Sequence, residues 1–200
     1  MASFSQRTYV ETNFKDSDIN ATLIEKVIFQ DCIFTGCNLR ECTLEKCRFE
    51  RCQFSKCDLS LVKLPETVFK AVEFKDSRLM GINWHGANWS TDSLLYVKHI
   101  DFTSCLLDHS LFIGLDLTET SFVRCRAHHV DFENANLTKA DFSGADLLNS
   151  RFVNCNLSEA NFTRAINYGI NAAKNTLHKT RFSMPEAITL LSGLDIILEE

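Results

Sequence analysis

The chain has 200 residues, of which 45% are hydrophobic, and a formal net charge of −5 at pH 7. This length and composition predict one globular domain with a buried core, and the mild negative charge argues against a basic face that binds nucleic acid directly. The N-terminus lacks a cationic segment followed by an apolar run, and no stretch approaches the roughly 18 apolar residues of a membrane helix. We therefore expect a cytoplasmic protein that does not enter a membrane.

From Phe14 to Trp89 every fifth residue is large and apolar. Within this series phenylalanine and aliphatic residues alternate in pairs, so the pattern itself recurs after four repeats. A period of five fits neither a helix nor a strand, but a chain that turns a corner in each repeat closes a coil after four repeats. We predict an all-β parallel solenoid of about eight coils, with a core that includes Phe34, Phe49, Phe54 and Phe74.

Two residues before most of the large positions stands a small or compact residue, and all nine cysteines occupy this position of the repeat. Six of them recur at intervals of five between Cys32 and Cys57. A metal site or disulfides are the alternatives, but cysteine here alternates with alanine, serine, threonine and valine, which is typical of a small buried residue. We expect buried free thiols and no metal or cofactor. Two prolines and seven glycines leave little material for conventional turns.

The repeat loses its phase between Trp89 and Phe102, where three residues stand in addition to two repeats. The segment 90–99 is interpreted either as a bulge that the solenoid tolerates or as a loop that contacts a partner, with Tyr96 as a contact residue. A second series then runs from Phe102 to Phe162 and is resumed at Leu177 and Phe182. Its predicted core residues are Phe122, Phe142 and Phe162, and the solenoid domain extends over residues 1–182.

Residues 183–200 abandon the period of five. Ser183 and Glu186 have the spacing of a capping box, Pro185 suits a first turn and Gly193 suits a helix end, so we predict a short helix over about 184–192. The segment either only caps the solenoid or also packs against its copy in a twofold homodimer. The predicted dimer-interface residues are Ile188, Leu190, Leu191, Leu194, Ile196 and Ile197.

The segments "ANLTKADFSGADLLNS" (135–150) and "CNLSEANFTRA" (155–165) resemble the repeat A-(D/N)-L-x-x of pentapeptide-repeat proteins. This resemblance implies a right-handed quadrilateral β-helix. The segments 64–84, 161–170 and 181–200 are similar to the topoisomerase-protecting group, which includes albicidin-immunity, microcin-immunity and plasmid quinolone-resistance proteins. That similarity implies a dimer through the tail and binding to DNA gyrase as a DNA mimic that protects it from a poison.

The C-terminal half carries the whole net charge, because residues 1–100 hold 13 acidic and 13 basic side chains and residues 101–200 hold 13 and 8. This acidity either keeps the rod soluble or attracts a protein with a cationic DNA-binding saddle. The predicted partner-binding carboxylates are Asp101, Asp116, Asp131, Glu133, Asp141 and Asp146.

No arrangement of residues typical of catalysis appears, and the adjacent histidines His128 and His129 are expected to face solvent. We therefore predict a binding protein without catalytic residues. Two hypotheses remain: a dimeric binder of type II topoisomerase that protects against a gyrase-directed toxin, and a scaffold module for another protein partner.

Overall fold

A computed structural model describes residues 4, 6–89 and 100–193. Within these ranges the chain forms short parallel strands of two to four residues. They are β1 (Thr8–Val10), β2 (Asn13–Lys15), β3 (Leu23–Glu25), β4 (Ile28–Gln30), β5 (Ile33–Thr35), β6 (Thr43–Glu45), β7 (Arg48–Glu50), β8 (Gln53–Ser55), β9 (Val68–Lys70), β10 (Val72–Lys75), β11 (Ile100–Thr103), β12 (Phe122–Val123), β13 (Asn161–Phe162) and β14 (Arg181–Phe182). The described helices are all 3-10 helices: Trp84–Gly86, Ala172–Lys174 and Glu186–Gly193.

The strands pair in register with the corresponding strands of the neighbouring coils. Phe14 pairs with Phe34, and Phe34 pairs with Phe54, so each coil contains four repeats. This register confirms the predicted solenoid of about eight coils. Wall 1 carries the sheet β1-β4-β7-β9 and continues through Asp116, Asn136 and Asn156. Wall 2 carries the six-stranded sheet β12-β11-β10-β8-β5-β2, followed by Asp141, β13 and β14.

The other two walls have less regular pairing. Wall 3 is a ladder of single bridges that includes Asp58, Arg78, Leu106, Arg126 and Asp146. Wall 4 begins with the pair β3-β6 and continues through bridges at residues 63, 83, 111, 131 and 151. Each repeat therefore contributes one wall, and residues one coil apart lie side by side on the same wall.

Each corner places one residue in the left-handed region, with φ between 48° and 69°. This residue donates its N–H to a carbonyl of the next coil, as Glu11 N does to Gln30 O at 2.9 Å. Only four of these corner residues are glycines, whereas 26 described residues with positive φ are not. The hydrogen bonds between coils thus hold non-glycine residues in a left-handed conformation that glycine usually adopts.

The contacts across segment 90–99 define the size of the insertion. Phe74 pairs with Phe102, although Phe102 stands much further along the chain than one regular coil. Contacts between regular coils join residues 20 positions apart, as from Cys47 N to Thr67 Oγ1, but Ile82 N bonds Ser110 Oγ, 28 positions later. The coil therefore contains eight extra residues, not the three expected from the sequence, because only one repeat separates Trp89 from Phe102 along the solenoid. Residues 90–99 themselves, including Tyr96, lie outside the described residues.

The two series of large residues form one core, because the coils before and after the insertion stack directly on each other. A single column on wall 2 stacks nine rings from one end of the rod to the other, with centroids 4.4 to 5.4 Å apart. The column consists of Phe14, Phe34, Phe54, Phe74, Phe102, Phe122, Phe142, Phe162 and Phe182. All predicted core phenylalanines are at most 1% exposed.

The predicted C-terminal helix is present but differs from the expectation in two respects. It is a 3-10 helix over Glu186–Gly193. The structure describes both Ser183 and Glu186, and these two residues do not form a capping box. The Ser183 hydroxyl instead accepts a hydrogen bond from Arg164 N at 2.8 Å. Ser183 stands 19 positions after Arg164, where a regular coil would accept this hydrogen bond with its carbonyl, as Thr163 O does from Gly144 N. None of the helices that the structure describes has the length or apolar character needed to span a bilayer.

Candidate functional site

The small inner residues do more than fill space. Their thiols and hydroxyls point to carbonyls of the preceding coil: Cys42 Sγ lies 2.8 Å from Ile19 O, and Thr67 Oγ1 donates to Leu44 O at 2.6 Å. Thr67 Oγ1 also accepts from Cys47 N. The alternation of cysteine, serine and threonine therefore reflects a shared donor role between coils as well as a shared size.

All nine cysteines are free and buried. Burial raises the pKa of the Cys52 thiol to about 12 and that of the Cys155 thiol to about 11. These two thiols stay protonated at neutral pH and are poor nucleophiles and poor metal ligands, whereas hydrogen bonds from Cys57 and Cys125 lower the pKa of Cys37 and of Cys105, respectively. Within the described residues there is no group of three or more His, Cys, Asp or Glu side chains that could hold a metal ion.

The six predicted partner-binding carboxylates do not form one face. Asp101 and Asp141 lie on wall 2, Asp116 on wall 1, Asp131 and Glu133 on wall 4, and Asp146 on wall 3. The physical reason is the coil length, since residues separated by three repeats fall on different walls when four repeats close a coil. The acidic side chains of the C-terminal half therefore surround the rod.

Wall 2 carries the longest sheet of the solenoid, with six strands, and several acidic residues. Glu73 is in register with Asp101, and Ser121 is in register with Asp141. Asp101 accepts a hydrogen bond from Ser121 N at 2.7 Å, and Asp141 accepts one from Asn161 Nδ2 at 2.9 Å. Within the described residues neither Glu73 nor Asp141 forms an ion pair, so their charges remain available at this surface. Glu73 was missed by the sequence analysis, although its separation from Phe74 matches that of Asp101 from Phe102.

The carboxylates of walls 1 and 4 are held within their own ladders. On wall 4 Arg151 binds both Asp131, at 3.1 Å, and Glu133. On wall 1 Asp116 accepts hydrogen bonds from Asn136 Nδ2 at 3.1 Å and Thr118 Oγ1 at 2.6 Å. The guanidinium on wall 4 offsets much of the negative charge that the sequence suggested there.

Wall 3 carries a denser ionic network than the sequence indicated. Asp108, which is 6% exposed, accepts hydrogen bonds from Arg126 Nε at 2.9 Å and from His128 N at 3.1 Å. His128 Nε2 lies 2.8 Å from Asp146 Oδ2, so this histidine is half-buried instead of facing solvent as expected. The neighbouring His129 is exposed, as predicted.

The pKa values of the two wall 3 carboxyls reflect this network. Burial alone would raise the pKa of Asp108, but the hydrogen bond from Arg126 and the N–H of His128 lower it more. For Asp146, hydrogen bonds from Asn167 and His128 likewise outweigh the effect of burial and lower the pKa. Both groups therefore stay ionised at neutral pH. The signal for Asp108 and Arg126 in the sequence was their separation of 18 positions, which is meaningful only when the coil length is known.

The C-terminal helix leaves an apolar surface at the end of the rod. Met184 is 69% exposed, Ile188 47% and Leu191 37%, whereas Leu190 packs against the core. Leu194, Ile196 and Ile197 lie outside the described residues. Of the predicted interface residues, Ile188 and Leu191 are thus exposed, and Leu190 contributes mainly to the cap.

Comparisons with known proteins agree with this architecture. Residues 27–110 and 96–162 match the family model described as "Pentapeptide repeat region", which together covers more than half of the chain. A trypsin-treated variant of QnrB1, a plasmid-mediated fluoroquinolone resistance protein, has a TM-score of 0.74 and 16% identity over 96% of this chain and 99% of its own. Full-length QnrB1 has a TM-score of 0.57 and 16% identity over 94% of this chain and 100% of its own.

No curated protein sequence matches the chain, and 16% identity to a solved structure establishes a shared fold only. The family assignment therefore rests on the repeat. Over residues 27–162 the period of five, the register of the coils and the match to the family model all indicate a pentapeptide repeat. The chain belongs to the pentapeptide-repeat proteins.

Proposed function

We propose that this protein is a cytoplasmic, non-enzymatic binder of DNA gyrase or a related type II topoisomerase that protects the enzyme from a poison of the albicidin or quinolone type. The observation that carries the proposal is a continuous rod of about eight coils that aligns with a fluoroquinolone resistance protein over 96% of the chain. At a strand spacing of about 4.8 Å the rod is roughly 40 Å long, which is the length of a short segment of DNA duplex.

Wall 2 is the surface that best supports contact with a DNA-binding enzyme. Its strands pair in register, and this register places Glu73, Asp101 and Asp141 in one line along the wall. The positively charged DNA-binding surface of a topoisomerase would attract such a line of carboxylates. On walls 3 and 4 the carboxylates Asp146 and Asp131 already face a histidine or an arginine, which weakens their attraction to a partner.

A homodimer through the C-terminal tail forms part of the proposal. The exposed Met184, Ile188 and Leu191 form an apolar surface at the end of the rod, and a twofold interface would bury this surface against its own copy. Two rods joined at these ends would present a longer surface to a topoisomerase than one rod does.

The proposal is tested by a gyrase supercoiling assay with and without albicidin or a fluoroquinolone, titrated with the purified protein. We expect supercoiling in the presence of the drug to be restored over a defined range of protein concentration. The double variant Glu73→Gln/Asp141→Asn should protect less well, and Asp131→Asn on wall 4 is the matched control. Absence of any effect on supercoiling or on drug sensitivity at every concentration would refute the proposal.

A second candidate function is a scaffold for a different protein partner. It is favoured by the distribution of the acidic residues over four walls and by the ion pairs of Arg126 and Arg151, which are typical of a stable, soluble rod. Co-purification from a bacterial lysate followed by mass spectrometry separates the two candidates, because recovery of a protein other than topoisomerase together with no effect in the supercoiling assay would favour the scaffold.

A further inference from the structure

We propose that His109 and His129 on wall 3 form a binding site for a divalent transition-metal ion. The two imidazole rings lie parallel, with centroids 5.0 Å apart and an interplanar angle of 4°. Both side chains are exposed, and both residues occupy the same corner position in successive coils. This site is separate from the wall 2 surface and does not depend on the proposed function.

The backbone holds the two histidines at a fixed separation. His109 N donates to His128 O, and His129 N donates to Leu148 O, both at 2.9 Å. Each residue has a positive φ, 61° for His109 and 55° for His129, so the two side chains leave their corner in the same direction. Little conformational freedom of the main chain remains to be lost when an ion binds, which favours binding.

Chelation of one ion requires a rotation of the two side chains. In the observed pose the rings are parallel with centroids 5.0 Å apart, so both exposed rings must turn about their side-chain bonds before one nitrogen of each lies about 2.0–2.1 Å from a common ion. The remaining positions around the ion would be taken by water or by ligands from another molecule.

The surroundings permit a cation to approach. Arg126 belongs to the same ladder of bridges, and its guanidinium is bound by the carboxylate of Asp108. Asp146, beside His128, adds a negative charge to the same wall. The nine thiols, which would compete for a soft metal ion, are buried inside the solenoid. Imidazole ligands of this kind suit Ni²⁺, Cu²⁺ and Zn²⁺.

The test is isothermal titration of the full chain with Ni²⁺ alone. We expect one ion per chain, and His109→Asn or His129→Asn should each weaken binding by at least about tenfold because half of the protein ligands are removed. Asparagine tolerates the left-handed region, so both variants should keep the fold, which circular dichroism would verify. The matched control is His178→Asn, which removes an exposed histidine from wall 1 and should leave the affinity unchanged.

Failure to bind Ni²⁺, or equal binding by the wild type and both variants, would overturn the proposal. An equal loss in His178→Asn would also overturn it, because binding would then reflect exposed histidines in general. A crystal soaked in Ni²⁺ provides a second measurement, in which anomalous scattering should appear between the two rings and nowhere along wall 1. Neither result alters the outcome of the supercoiling assay.

Discussion

At the scale of the residue, the solenoid uses ordinary amino acids in an uncommon conformation. Twenty-six described non-glycine residues have positive φ, nearly all at corners. The left-handed conformation costs an L-residue roughly 1–2 kcal/mol, and each corner N–H recovers part of this cost through a hydrogen bond to the next coil. The low glycine content of the sequence is therefore compatible with a chain that turns a corner every five residues.

Glu159 allows the cost of this conformation to be measured. It is exposed, has a φ of 60°, and its N–H donates to His178 O at 2.7 Å. Glu159→Val should lower the free energy of unfolding by about 1–2 kcal/mol because a β-branched side chain is disfavoured there, whereas Glu159→Asn should change it by less than about 0.5 kcal/mol. Urea unfolding of the two variants provides the measurement, and equal midpoints would contradict the argument.

Asp108 makes a pH-dependent contribution to stability. Because its pKa is lowered in the folded chain, the contribution is present above the unfolded value of about 3.9 and is lost as the pH falls through the folded value. Asp108→Asn should therefore destabilise the protein at pH 7 by about 1–2 kcal/mol and by clearly less at pH 2.5.

The same experiment on Arg126→Gln provides the control for Asp108. Removing the partner should abolish most of the same pH-dependent part, since Arg126 supplies the largest interaction that lowers the pKa of Asp108. Chemical unfolding at each pH provides the measurement. If the free energies of unfolding of the wild type and Asp108→Asn differ by the same amount from pH 7 to pH 2.5, the charge of the carboxylate does not contribute to stability.

At the scale of the element, two features carry the architecture: the phenylalanine column of wall 2 and the C-terminal helix. The column continues across the insertion because Phe74 stacks on Phe102 with centroids 5.4 Å apart. The helix covers the last coil through Leu190 and through the Thr189 hydroxyl, which lies 3.4 Å from Tyr168 O. Its outer side remains apolar, which is the basis of the proposed dimer.

Leu191→Glu tests the dimer directly. A carboxylate at this exposed position would have to be buried without a partner in a twofold apolar interface, so we expect a monomer by sedimentation velocity. The control is Leu148→Glu on wall 3, where the wild-type side chain is similarly exposed at 41%. A dimer that persists in Leu191→Glu, or a wild-type protein that is already monomeric, would rule out an interface centred on this residue.

At the scale of the whole molecule, much of the fold followed from a single interval. The spacing of Phe34, Phe54 and Phe74 specifies both the coil length and the core, because like residues stack when four repeats close a coil. The size of the insertion did not follow, since a phase shift of three is the same for three extra residues and for eight. The candidate surface also escaped prediction: Asp116 and Asp131 belong to different walls, a fact that depends on counting by coils and not by repeats.

The charge of the whole rod limits how far it can imitate DNA. A net charge of −5 over roughly 40 Å corresponds to about one charge per 8 Å, whereas duplex DNA carries one per roughly 1.7 Å. Few condensed counterions would be released when a partner binds such a rod. In the proposed complex, recognition must then depend on the local arrangement of the wall 2 carboxylates and on shape more than on total charge.

We therefore expect the proposed binding to gyrase to depend only weakly on salt concentration. The affinity for gyrase, measured by fluorescence anisotropy between 50 and 200 mM KCl, should fall by less than about tenfold, whereas proteins that contact 6–10 phosphates lose roughly 10³–10⁵. Glu73→Gln/Asp141→Asn should weaken binding at both salt concentrations, and Asp131→Asn should behave as the wild type because Arg151 already offsets that charge. A loss of a thousandfold or more would instead mean that the rod substitutes for DNA through charge along its length, and wall 2 would lose its special role.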